Sequence, residues 1–233
     1  MKSVLITGAS SGIGAATAEV FLQAGWRVGV LARRAKPLEE IAAQYENAIP
    51  LPADVTDPTA MSDAFDQFGH IDVLFNNAGL FGPSASIDEV SLEDWFQVLS
   101  VNVSGMFIAA RLAFARMRAQ DPQGGRIINN GSISAYSPRP NSVCYTTTKH
   151  AITGLTKTLS LDGRPYGIAC GQIDIGNAET DLLRQIKKTQ PDTPTMHVGH
   201  AARSVLHMAE MPPEANVQFM TVMATAMPYI GRG

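Results

Sequence analysis

The chain has 233 residues, 45% hydrophobic, 7% aromatic and 17% charged, with a formal net charge of −3 at pH 7. That length and apolar share suit one α/β domain with a genuine core. The mildly acidic balance, with no basic run, argues against a nucleic acid or an anionic membrane as partner.

Two cysteines, Cys144 and Cys170, are too few for a disulfide framework, so buried free thiols are expected. The first apolar run begins at residue 3, which leaves no room for a signal peptide. No apolar stretch approaches the roughly 20 residues that span a bilayer. A cytoplasmic, reducing setting is the expectation.

Apolar runs alternate with helical patterns from end to end, as in βαβ units on a parallel sheet. Strands are predicted near 3–7, 27–31, 48–52, 71–75, 126–131, 167–173 and 217–222. Helices are predicted near 13–24, 37–45, 58–68, 92–118, 143–161 and 199–209. The expected fold is a doubly wound α/β sheet of about seven parallel strands with helices on both faces, as a single domain over residues 1–233.

The first strand, Ser3 to Thr7, runs into Gly8-Ala-Ser10-Ser11-Gly12-Ile13-Gly14 and then into good helix material. Strand, glycine turn and helix N-terminus together make a phosphate cradle, because glycine permits close backbone approach and the first helical N–H groups are free to donate. The spacing is not the usual G-x-G-x-x-G of dinucleotide sites, so a plain glycine turn stays open as the alternative.

The second strand ends at Ala32, where an acidic residue would bind an NAD ribose, and Arg33-Arg34 follow. Guanidinium groups grip phosphate in a fixed fork, so this arrangement favours a 2′-phosphate and hence NADP(H) over NAD(H). Solvated loop charges are the alternative for both arginines. Past the third strand, Thr56 or Asp57 ahead of Pro58 reads as a helix N-cap.

Asn102 falls inside the long helix predicted at 92–118, and asparagine is a poor helix former, so its position asks for a reason. Ser132 follows the apolar run that begins at Arg126, and Tyr145 and Lys149 lie four residues apart at the start of the next helix. That spacing sets phenol and ammonium on one helix face. A neighbouring cation stabilises phenolate, so the Tyr145 pKa is expected below its ordinary value of about 10. A proton donor and acceptor near neutral pH would result.

Residues 177–197 are polar and broken by Pro191 and Pro194, and they follow a strand end, where doubly wound folds bind ligands. A lid over the cleft is expected there, with a rigid helix supported by Leu182, Leu183 and Ile186 as the alternative. His70, His150, His197, His200 and His207 show no metal-ligand spacing, and no metal site is expected.

Together these features resemble the short-chain dehydrogenase/reductase family, in its shorter branch of about 250 residues. Thr7-Gly8-x-x-x-Gly12-Ile13-Gly14 resembles that family's cofactor turn, with Ser10 and Ser11 inside it, and Asn76-Asn77-Ala78-Gly79 resembles the motif closing its fourth strand. Asn102, Ser132, Tyr145 and Lys149 fall where its catalytic tetrad falls. The resemblance covers nearly the whole chain and implies a Rossmann fold with these roles: Tyr145 moves a proton, Lys149 tunes it and binds the nicotinamide ribose, Ser132 holds the substrate oxygen, and Asn102 binds a water that links Lys149 to solvent. Ser134 rivals Ser132, but the thirteen-residue offset to Tyr145 favours Ser132.

The same resemblance implies that Asp54-Val55 meets the adenine, that Asn77, Ala78 and Gly79 line the cofactor path, and that Ile175 and Thr180 lie near the nicotinamide. Two departures stand out. Ser11 replaces the base that many NADP-preferring relatives carry in the turn, and Ile175 replaces the proline of a usual Pro-Gly pair.

An NADP(H)-dependent oxidoreductase acting on a small carbonyl or secondary alcohol is the resulting expectation, with Leu80-Phe81, Ile133, Ser134 and Tyr136 as pocket wall. A non-catalytic NADP(H) sensor on the same fold is the rival. An epimerase or dehydratase of the longer branch shares Tyr-x-x-x-Lys, but its turn is spaced differently and its chain carries a large added substrate region, which 233 residues cannot hold. A homotetramer or homodimer is expected, paired through Phe107, Ile108, Leu112, Phe114, Ile152 and Leu155.

Overall fold

The computed structural model describes residues 1–230; the side chains of Leu182, Gln185, Ile186 and Thr189 lie outside the described residues. Two residues named above as support for a rigid helix, Leu182 and Ile186, are therefore beyond description.

Seven parallel strands form one sheet: β1 (Ser3–Thr7), β2 (Arg27–Ala32), β3 (Ala48–Pro52), β4 (Val73–Asn76), β5 (Gly125–Asn130), β6 (Ile168–Gly176) and β7 (Phe219–Met223), in the order β3-β2-β1-β4-β5-β6-β7. The inner strands are near-continuous apolar runs because helices cover both faces; every residue of β1 is buried. On one face α1 (Gly12–Gln23) and α8 (Val198–Glu210) pack together, with Phe21, Leu22, Val205 and Met208 among the core. Phe65, Phe68, Ala109, Ala113 and Met117, from α3 (Pro58–Phe68) and α5 (Met106–Ala119), fill the other. Fully burying each large side chain of this set contributes roughly 1.5–3 kcal/mol.

Chain direction along the sheet reverses between β1 and β4, which makes their carboxyl ends the crevice where doubly wound folds take ligands. Local sequence sets the helices that frame it. Asp57 caps α3 by accepting from the N–H groups of Thr59 (2.9 Å) and Ala60 (3.1 Å), with Pro58 at the first helical position.

The single helix expected over 92–118 is not uniform. It consists of α4 (Leu92–Leu99), a π-helical turn (Ser100–Gly105) and α5. Asn102 sits in that turn, which answers why a poor helix former lies mid-helix: the irregularity is where a helix often serves a site. By length and composition Leu92–Ala119 is long and apolar enough to cross a membrane, which corrects the expectation that no apolar stretch is. Here Met106, Ala109, Ala110, Ala113 and Met117 of this helix are buried in the protein.

The segment 177–197 contains α7 (Asp181–Thr189) and is tied at its base. Ala178 bridges Met196, and Asn177 Nδ2 donates to the Pro194 carbonyl at 3.0 Å. The remaining helices are α2 (Ala35–Ala42) and α6 (Val143–Gly163).

Candidate active site

A cleft of about 470 Å³ opens over the strand ends. Its wall contains Gly8, Ser10, Ser11, Gly12, Ile13, Arg33, Arg34, Asp54, Val55, Asn77, Ala78, Gly79, Tyr145, Lys149 and Thr180, so the structure brings most of the expected residues together.

The others have supporting positions. Thr7 is fully buried, and its Oγ1 accepts from the N–H groups of Asn77 (2.9 Å) and Ala78 (3.0 Å), tying the glycine turn to the end of β4. A Cβ on Gly14 would lie 2.2 Å from the Gly8 carbonyl, so the turn closes only with glycine there. Ile175 is packed in the core and does not line the cleft; the expectation that it lies against the cofactor is not met in its side chain.

Asn130 is a residue the sequence reading missed. Asn77 Nδ2 donates to the carbonyl of Thr7 at 2.9 Å, which leaves Asn77 Oδ1 to accept from Asn130 Nδ2 at 2.8 Å. The Asn130 amide is thereby oriented with Oδ1 as its free end. Among the described residues that Oδ1 is buried with no partner, on a residue that lines the cleft and is 8% exposed. A buried acceptor left unsatisfied costs about 1–3 kcal/mol unless a ligand donor meets it. Ser11, ahead of α1, makes no side-chain cap bond, which suits a helix start that receives phosphate. The cradle, the room and the orphaned acceptor fit a nicotinamide dinucleotide.

At the inner end of the cleft, α6 presents Tyr145 and Lys149. Lys149 Nζ donates to the Asn130 carbonyl at 2.7 Å and lies 5.4 Å from the centroid of the Tyr145 ring. Phe81 stacks on the same ring, centroids 4.2 Å apart and planes within 6°. Ser132 acts to lower the Tyr145 pKa, and its Oγ accepts from the Ser134 N–H at 3.1 Å. Of the two rival serines, Ser132 is therefore the one engaged with Tyr145.

The expected depression of the Tyr145 pKa does not appear. Burial raises it, partly opposed by Ser132 and by the charge of Arg139. Lys149 is itself pulled down to about 8 by burial. Desolvation of the phenolate outweighs the nearby cation, whose Nζ is bonded to a carbonyl and sits over the ring, not at the hydroxyl.

Asn102 Oδ1 accepts from the Leu80 N–H at 2.7 Å, while Nδ2 donates to the Leu80 carbonyl (2.8 Å) and to Thr148 Oγ1 (3.1 Å). Its side chain thus clamps the loop after β4 to α6.

A family model described as short chain dehydrogenase matches residues 2–191. The chain belongs to the short-chain dehydrogenase/reductase family. It is 36% identical over 202 residues to 2-(R)-hydroxypropyl-CoM dehydrogenase of Xanthobacter autotrophicus, covering 82% of this chain and 80% of the relative. Among solved structures, the 3-ketoacyl-(acyl-carrier-protein) reductase of Brucella melitensis complexed with NADH superposes with a TM-score of 0.86 at 26% identity, covering 95% of this chain and 96% of that one. A closed serine dehydrogenase complexed with NADP+ gives a TM-score of 0.92 over 99% of this chain and 98% of that one; at 24% identity it speaks for the fold alone. This short-chain dehydrogenase is thus an oxidoreductase of the alcohol and carbonyl class with a nicotinamide cofactor.

Proposed function

We propose that the enzyme reduces a small carbonyl compound, or oxidises the matching secondary alcohol, with NADP(H), and that Tyr145 is its general acid and base. The observation that carries this is the pairing of Tyr145 with Lys149 in the wall of the dinucleotide cleft, the buried Lys149 Nζ lying 5.4 Å from the Tyr145 ring centroid. The nicotinamide, when bound, supplies or accepts the hydride. Ser132 Oγ orients the substrate oxygen, and the Tyr145 hydroxyl gives it a proton in reduction or takes one in oxidation. Lys149 Nζ and Asn130 Oδ1 hold the nicotinamide ribose. With the Asn102 side chain filled by Leu80 and Thr148, a water that links Lys149 to solvent would rest on the Asn102 main chain.

A carbonyl and alcohol panel followed by NADPH absorbance tests this reading. Turnover that depends on Tyr145 supports it; cofactor binding with no turnover across the panel would leave the sensor reading in its place.

The helix faces expected to pair copies of the chain are only partly available. Phe107 is 53% exposed and Ile108, Leu112, Phe114 and Leu155 are half-buried, whereas Ile152 is fully buried inside the chain and cannot take part. We expect a homodimer or homotetramer through the exposed set. Light scattering at micromolar concentration should give a multiple of 24.9 kDa; a single-chain mass would refute it. Cys144 and Cys170, both buried and free, support a reducing, cytoplasmic setting.

Thr180 and Asp181 line the cleft at the foot of α7, and a Cβ on Gly12 would lie 3.3 Å from Thr180 Cγ2. On this basis 177–197 acts as a lid that tightens over bound cofactor and substrate and excludes water. Hydrogen exchange should slow across these amides on adding NADPH. Equal protection with and without it would make the segment scaffold.

A further inference from the structure

Asp174 is a buried carboxylate at the catalytic centre that the proposed chemistry leaves without a role. It is 1% exposed, next to the end of β6. Register pairs Asn129 with Gln172 and Asn130 with Ile173, which sets Asp174 beside the start of the Ser132 loop. Its Oδ1 accepts the Ser132 N–H and Gln172 Nε2, both at 2.8 Å. Gln172 is fully buried in turn, donating to Thr153 Oγ1 at 3.2 Å and accepting from Thr156 Oγ1 at 3.2 Å.

Gly131 completes the arrangement. A Cβ there would fall 2.2 Å from Asp174 Oδ1 and 2.6 Å from Gln172 Nε2, so any larger residue would displace the pair. Burying a charge without compensation is expensive, and a site shaped to hold one on two converging donors calls for a use. The titratable groups that face it are Lys149 and Tyr145 from α6 and Tyr136 from the loop after β5; Tyr229 acts on Tyr136 and Arg139 on Tyr145. Among the described residues Lys149 makes no direct ion pair, and its Nζ bonds the Asn130 carbonyl one residue before Gly131.

We propose that Asp174 is a positioning residue of the active site: its carboxylate fixes the main chain of Ser132 and supplies the counter-charge that keeps the buried Lys149 an ammonium ion. The inference rests on the reading in which Ser132, Tyr145 and Lys149 carry the chemistry. Burial pulls Lys149 down to about 8, and Asp174 is the charge that opposes it. Reciprocally, burial raises Asp174 while Gln172, the Ser132 N–H, Lys149 and Tyr136 hold it back.

Asp174→Asn isolates the charge, because an amide oxygen can still accept both donors that meet Oδ1. Lysine labelled isotopically at Cε and followed by NMR reads Lys149 directly in the full chain, with the resonance assigned by its loss in Lys149→Met. Removing a negative charge makes the ammonium easier to deprotonate, so the Lys149 midpoint should fall by about half to one pH unit, the scale of a charge several ångströms away in a partly buried site. Asp174→Ser, which removes the charge in a smaller side chain, should move it the same way. A midpoint within about 0.2 pH unit of wild type in a folded variant would overturn the proposal, as the stated scale then fails. Failure of both variants to fold would overturn it too, by making Asp174 scaffold.

The carbonyl panel with Tyr145→Phe is run alongside. A Lys149 shift without Tyr145-dependent turnover would sink the reaction and leave the counter-charge standing. Tyr145-dependent turnover with an unmoved Lys149 would do the reverse.

Discussion

Tyr145→Phe is expected to lose turnover by about 10²–10⁴-fold, the usual scale for removing a general acid–base group, while NADPH binds as it does to wild type. Phenylalanine keeps the ring stacked on Phe81 and under Lys149 Nζ, so packing and the cofactor path are retained. What it loses is the hydroxyl and with it the mobile proton. The sign of the pH dependence follows from the environment. Burial raises the Tyr145 pKa, so the phenol is the dominant form at neutral pH, as carbonyl reduction needs. Alcohol oxidation needs the phenolate, so its rate should climb with pH, and that climb should vanish in the variant. If the variant kept about a third or more of wild-type turnover, Tyr145 would not be the proton-transfer group, since the loss would fall far below the expected scale.

The β-strand runs and the glycine turn were readable because a parallel sheet covered on both faces demands continuous apolar strands, and a phosphate cradle demands glycine. Tyr145 and Lys149 were readable because helical spacing alone sets them on one face. What spacing does not carry is desolvation. Burial lowers the Lys149 pKa, and the burial of Tyr145 itself reverses the sign expected there.

Asn130, Gln172 and Asp174 were passed over for a related reason. Asn130 and Gln172 were taken as part of apolar strand runs and Asp174 as the residue just past one, and polar groups there have their meaning in cross-strand partners far along the chain, such as Asn77 for Asn130. A usable signal was present: polar side chains in strands expected to be buried on both faces must be bonded or must serve a site. Asn102 was flagged by that kind of misfit, and the π-helical turn accounts for its place. Ile152 failed as an interface residue because an apolar helix position does not say which neighbour, sheet or second copy, covers it.

NADPH should bind at least tenfold more tightly than NADH, through Arg33 and Arg34. Both line the cleft beyond Ala32 at the end of β2, and Arg34 Nη2 donates to Ser10 Oγ of the glycine turn at 3.2 Å. That bond holds a guanidinium against the glycine turn, and Arg33 is exposed beside it. Charge-assisted hydrogen bonds to phosphate contribute about 1.5–3 kcal/mol, and 1.4 kcal/mol is a factor of ten, so the preference follows even if one arginine engages. Ala32 stands at the end of β2, where an acidic residue would take the ribose hydroxyl. Ala32→Asp combined with Arg33→Ala should reverse the preference, by repelling the phosphate and offering the NADH ribose an acceptor. Cofactor fluorescence titration measures both proteins without a substrate. Equal affinity of the native enzyme for the two cofactors would show that these arginines are solvated charges and that selectivity, where it exists, is set elsewhere in the cleft.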